Sequence, residues 1–66
     1  MKIRINDNDM VIDSVKNLKK ILDELPMFSG NETVVVNKEY IAPNDYDNII
    51  INNGDDIKII KFLTGG

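Results

Sequence analysis

A chain of 66 residues is expected to form one small domain, burying only about 60% of the surface its unfolded form exposes and leaving little room for an enclosed active site. The absence of Cys excludes disulfides, thiolate nucleophiles and the usual zinc sites, and the absence of His removes the commonest general base near neutral pH, so stand-alone catalysis is not expected. Eight Lys and Arg against eleven Asp and Glu give a net charge of −3, which repels phosphate backbones and argues against a nucleic-acid partner.

Ile3 and Ile5 alternate with Lys2, Arg4 and Asn6, the period of a half-buried strand. Asp7-Asn8-Asp9 supplies turn residues, and Met10-Val11-Ile12 resumes an extended run, so the chain opens on a β-hairpin. After Asp13 the period changes. Val15, Leu18, Ile21, Leu22 and Leu25 lie along one helical face, with Lys16, Lys19, Lys20, Asp23 and Glu24 largely outside it. The spacing predicts an amphipathic helix with Ser14 or Asn17 as its N-cap, stopped by Pro26. The three lysines read as a solvated face, the alternative being a docking patch for an acidic partner.

Met27 to Glu32 reads as a loop, with Met27 and Phe28 folding back as core plugs. Thr33-Val34-Val35-Val36 has the β-branched composition of a central strand covered on both faces. Asn37-Lys38-Glu39 turns the chain into a short strand, Tyr40-Ile41-Ala42, which Pro43 confines to an edge or ends. Asn44 to Asn48 is a one-turn connector with Tyr46 packed beneath it. Ile49 to Ile51, a turn in which Gly54 takes a positive φ, and Ile57 to Leu63 are expected to form a second hairpin. This order of elements fits an α+β, β-grasp architecture: a mixed sheet with one main helix across it, the first hairpin and the last strand pairing centrally.

Two acidic groupings invite a chemical reading. Asp7, Asp9 and Asp13 fail as a calcium loop, because Met10 to Ile12 fill the middle and no glycine turn follows. Asp55-Asp56, and Asp45 with Asp47, read as turn residues, since acid–base pairs need burial or close opposition that turns in so small a domain do not supply. The opening segment, Met1 to Asn6, has no apolar signal-like core, and no stretch approaches the ~20 apolar residues of a membrane span. A cytoplasmic protein with no membrane partner is expected.

The most informative feature is Gly65-Gly66, placed directly after an apolar run. Without Cβ atoms, glycines form a slim tail able to enter a narrow enzyme cleft and present a terminal carboxylate for activation. Together with Met1-Lys2-Ile3-Arg4-Ile5-Asn6, Leu18-Lys19-Lys20-Ile21-Leu22, Val34-Val35-Val36-Asn37, Ile41, Pro43 and Gly54-Asp55-Asp56-Ile57, it makes a pattern. The chain resembles the ubiquitin-like sulfur carriers, specifically the ThiS family of thiamine thiazole biosynthesis, over essentially its full length. It departs from that pattern at Asp7, where Gly is frequent, at Asn17, where Thr caps, and at Tyr46, where Trp is common.

The resemblance implies one ubiquitin-like domain over 1–66 with a flexible tail at 64–66, acting as a co-substrate and not as an enzyme. Gly66 would be the site of adenylation and thiocarboxylate formation, and Gly65 and Thr64 would give the tail its access. Two glycines alone offer too little surface for specific recognition, so Phe62 and Leu63 are candidate partner contacts, the alternative being that they belong to the core. No bound cofactor is implied; ATP would be used by an E1-like adenylyltransferase of the ThiF type. The other partners implied are a sulfur donor protein and a ThiG-type thiazole synthase. Alternatives are a MoaD-type small subunit of molybdopterin synthase, another ubiquitin-like carrier or modifier, and a β-grasp interaction module in which Gly65-Gly66 is incidental.

Overall fold

The computed structural model describes residues 1–61. β1 (Lys2–Ile5) and β2 (Asn8–Val11) form the opening hairpin, with Ile3 opposite Met10 and Ile5 opposite Asn8. The reversal sits at Asn6 and Asp7, both at positive φ (49° and 69°), one residue earlier than expected. Asn and Asp tolerate this left-handed geometry, which matches the twist of the flanking strands. The tightness of the turn releases Asn8 and Asp9 into the ladder.

The central strand is β7 (Asp56–Ile60), flanked by β1 in parallel and by β4 (Thr33–Val36) antiparallel, with β5 (Glu39–Ile41) completing the sheet in the order β2-β1-β7-β4-β5. Its register places Ile57 beside Ile5 and Val36, and Ile60 beside Thr33. The turn asparagines extend its ladder: Ile59 N–H donates to Asn6 Oδ1 at 2.8 Å, and Asp56 N–H donates to Asn37 Oδ1 at 2.9 Å. Asn37 and Lys38 form the second positive-φ turn (49° and 71°).

One face of the sheet is covered by α1 (Leu18–Asp23), whose Leu18, Ile21 and Leu22 pack with Ile3, Ile5, Val34, Val36, Ile41, Ile57 and Ile59. Each such fully buried aliphatic side chain contributes about 1.5–3 kcal/mol. Asn17 caps the helix, accepting from Lys20 N–H at 2.9 Å. Leu18 and Lys19 N–H, which have no partner inside a helix, donate to the carbonyls of Ile49 (2.7 Å) and Tyr46 (3.1 Å).

The helix is shorter than its periodicity predicts because Lys16–Asn17 (β3) is taken up as a strand by Ile50–Ile51 (β6). Val15 therefore lies outside the helix and is 56% exposed. The same pairing overturns the second hairpin, since β6 bonds to β3 while β7 bonds to β1 and β4. The expectation that β4 is covered on both faces also fails: Val34 and Val36 are buried, but Thr33 and Val35 are only half-buried. Phe28 and Tyr46 are half-buried as expected, meeting edge to face at 6.2 Å, whereas Met27 is exposed. Gly54 has φ +89°, and Pro43–Asp45 forms the one-turn 3₁₀ connector after the edge strand β5.

Candidate functional site

Phe62, Leu63, Thr64, Gly65 and Gly66, the residues on which the sequence reading places the chemistry, lie outside the described residues. What is described is the ground they start from: the end of β7 at Ile60, followed by the exposed Lys61. β7 alternates strictly. Ile57 and Ile59 point into the core beneath α1, so Asp56, Lys58 and Ile60 face the other way.

Register then shows which residues share that open face. Ile60 lies opposite Thr33, Lys58 opposite Val35, and Val35 opposite Tyr40. Lys58, Val35 and Tyr40 (61% exposed) thus form one row across three adjacent strands, and Ile60 (44% exposed) lies in the next row of the same face, opposite Thr33. Lys58 is held by Asp7 at 3.0 Å. Hydrogen bonding to Lys58 lowers the Asp7 carboxyl below its ordinary range, and the same contact raises the Lys58 ammonium.

The loop between α1 and β4 adds a second component at the end of β7. Glu32 precedes Thr33, the register partner of Ile60, and its side chain is buried. Its carboxylate accepts from Ser29 N–H at 3.0 Å, Ser29 Oγ–H at 3.0 Å and Gly30 N–H at 3.0 Å. Burial by itself would raise its pKa, but the donors from Ser29 and Gly30 outweigh it and hold the carboxyl below its ordinary range. Burial also raises the Tyr46 phenol, and the nearby Tyr40 and Glu32 add to that shift.

Sequence reasoning missed both components. Val35 was hidden by reading β4 as covered on both faces, although the alternation of β7 carried the signal for Lys58 and Ile60. Glu32 reads from sequence as a loop residue; its spacing behind Ser29-Gly30 is the available cue. The lysine face divides: Lys16 belongs to β3 and is paired to Glu24 (3.2 Å) and Asp13 (3.5 Å), Lys19 is paired to Asp23 (3.7 Å), and Lys20 is exposed. Among the described residues no group of three or more His, Cys, Asp and Glu is placed to hold a metal ion, and no helix is long and apolar enough to cross a membrane.

The chain matches the ThiS family model over residues 2–66. The fold superposes on the crystal structure of the thiamine biosynthesis protein ThiS from Geobacter metallireducens with a TM-score of 0.88 and 23% identity, covering 100% of both chains. The solution structure of a thiamine biosynthesis protein from the same organism gives a TM-score of 0.78 at 23% identity, covering 100% of this chain and 88% of that one. A thiazole synthase from Paramagnetospirillum magneticum is 29% identical over 66 residues, which is all of this chain and 20% of that protein. The chain therefore spans about a fifth of the length of the curated relative it matches.

Proposed function

This chain belongs to the ThiS family, and from that premise we propose that it is a sulfur carrier for thiamine thiazole formation, with the Gly66 carboxylate as its reactive group. The observation that carries the reading is the family match, which runs through Gly65 and Gly66. A carboxylate is a poor acyl donor because its oxygen is a poor leaving group. In a ThiF-type adenylating enzyme, attack of that oxygen on the α-phosphorus of ATP releases pyrophosphate and leaves an acyl-adenylate. A persulfide sulfur on the donor then attacks the acyl carbon and AMP departs; a second thiol cleaves the S–S bond and leaves the thiocarboxylate. With no Cys of its own, this chain relies on its partners for both thiols.

The exposed apolar side chains that Ile60, Val35 and Tyr40 present on the open face of the sheet support a docking surface there, to which Phe62 and Leu63 would add. From Lys61 to Gly66 an extended chain reaches at most about 18 Å. The sheet end must therefore sit against the enzyme while the carboxylate reacts. The match to one fifth of a thiazole synthase favours such a synthase as the sulfur acceptor. A carrier segment joined to its acceptor meets it at high effective concentration, and a separate chain needs a docking surface to the same end.

The test is intact-mass analysis after incubation with ATP, a ThiF-type enzyme and a sulfur donor. A mass gain equal to replacement of one oxygen by sulfur is expected, and its loss on deletion of Gly66 with the fold unchanged. A truncated protein that still supports thiazole formation overturns the proposal. Sulfur delivery to a molybdopterin synthase large subunit, and not to a thiazole synthase, would reassign the pathway.

A further inference from the structure

Among the described residues Glu32 is the buried charged side chain, only 7% exposed; the other carboxylates are exposed or, like Asp55 and Asp56, half-buried. A buried carboxylate is costly unless donors surround it. Here Ser29 and Gly30 turn their backbone N–H groups and the Ser29 hydroxyl onto it, within a loop that also needs Gly30 at φ +106°. An ordinary helix-to-strand connection does not require a buried charge, and this one lies next to the strand residue that pairs with the end of β7. Glu32 is next to Thr33, and Thr33 is the register partner of Ile60, the last residue of β7. Phe28 and Tyr46 back the loop with their edge-to-face contact, and Tyr46 is close enough to Glu32 for its phenol to respond to the carboxylate charge.

We propose that Glu32 is a positioning residue for the carrier reaction: its carboxylate clasps the Ser29–Gly30 turn into a fixed shoulder beside the end of β7, so that the tail starts from a defined base. The inference rests on the carrier reading. A tail that must enter a narrow cleft loses less freedom on binding when its root is already set, and the gain falls on association with the enzyme. The clasp therefore acts on KM for the carrier more than on kcat.

The experiment is ATP–pyrophosphate exchange by a ThiF-type enzyme at varied carrier concentration, comparing wild type, Glu32→Ala, Glu32→Gln and Asn17→Ala, with folding followed by NMR. Asn17→Ala is the control. It removes the cap at the other end of the helix and lowers stability, but leaves the end of β7 intact. Glu32→Ala is expected to raise KM about tenfold with kcat within about twofold. Glu32→Gln, whose amide oxygen still accepts from the Ser29 and Gly30 amides, recovers part of the loss. Asn17→Ala leaves KM unchanged. A KM for Glu32→Ala within about twofold of wild type, or an equal rise in Asn17→Ala, overturns the proposal. Should Glu32→Ala not fold, Glu32→Gln and Ser29→Ala decide by the same criterion. No exchange with wild type sinks the carrier reading itself, whereas exchange that ignores the Glu32 variants sinks only the clasp.

Discussion

Ile57 and Ile60 share one strand, yet Ile57 is fully buried beneath the helix and Ile60 is 44% exposed on the opposite face. Nothing in the two side chains differs; the pleat alone sends them to different surroundings. One face of β7 is spent on the core, with Ile57 set beside Ile5 and Val36, and the other carries Lys58 opposite Val35 and Ile60 opposite Thr33. Because alternate residues face opposite ways, a core side and an open side are separable within five residues of a single strand. For the proposed carrier this arrangement is useful, since β7 can be firmly held in the sheet while still presenting an accessible apolar surface.

The sharpest way to break the comparison is Ile57→Ala. Truncating a fully buried side chain costs about 2–5 kcal/mol, most or all of the stability of a domain this small. Urea unfolding should show it, and a loss below about 1 kcal/mol would mean that the helix-facing side of β7 is not the core. Next comes Asn37→Ala, which removes the bonds to Asp56 N–H (2.9 Å) and from Asn37 Nδ2 to Asp55 Oδ1 (3.0 Å) and leaves Ala at a positive φ. A loss of about 1–2 kcal/mol is expected, with faster hydrogen exchange at the Asp56 amide. Unchanged exchange there would show that the turn does not hold β7.

Ile60→Thr tests the open face. The β-branched shape suits the strand, so stability should change by less than about 1 kcal/mol, while affinity for the adenylating enzyme falls about fivefold. Equal affinity in a titration would remove Ile60 from the docking surface. The smallest effect is the response of Glu32 to acid. Its carboxyl lies below the ordinary value of 4.5 in the folded protein, so the clasp contributes stability that is fully present above that pH and is lost as the pH falls through the lower folded value. In an NMR titration the Ser29 and Gly30 amide signals should move with a midpoint below 4.5. A midpoint above it would show that burial outweighs the hydrogen bonds.

Local pattern was enough for much of this molecule. Alternation at Ile3 and Ile5, helical spacing of Leu18, Ile21 and Leu22, the halt before Pro26 and the positive φ of Gly54 all report interactions within a few residues, which the order of side chains states directly. The element order carried the β-grasp expectation, and the quoted motifs carried the family. Tertiary structure decided which neighbour each element takes. Ile49 to Ile51 reads equally well as a partner for the last strand or for Lys16–Asn17, because a period of two identifies a buried face without naming the strand beside it. Once β7 is taken up by β1 and β4, that segment pairs with β3, the helix begins at Leu18, and Val15 is left outside. The same non-local choice sets Thr33 against Ile60 and so brings Glu32, remote in sequence, to the end of β7.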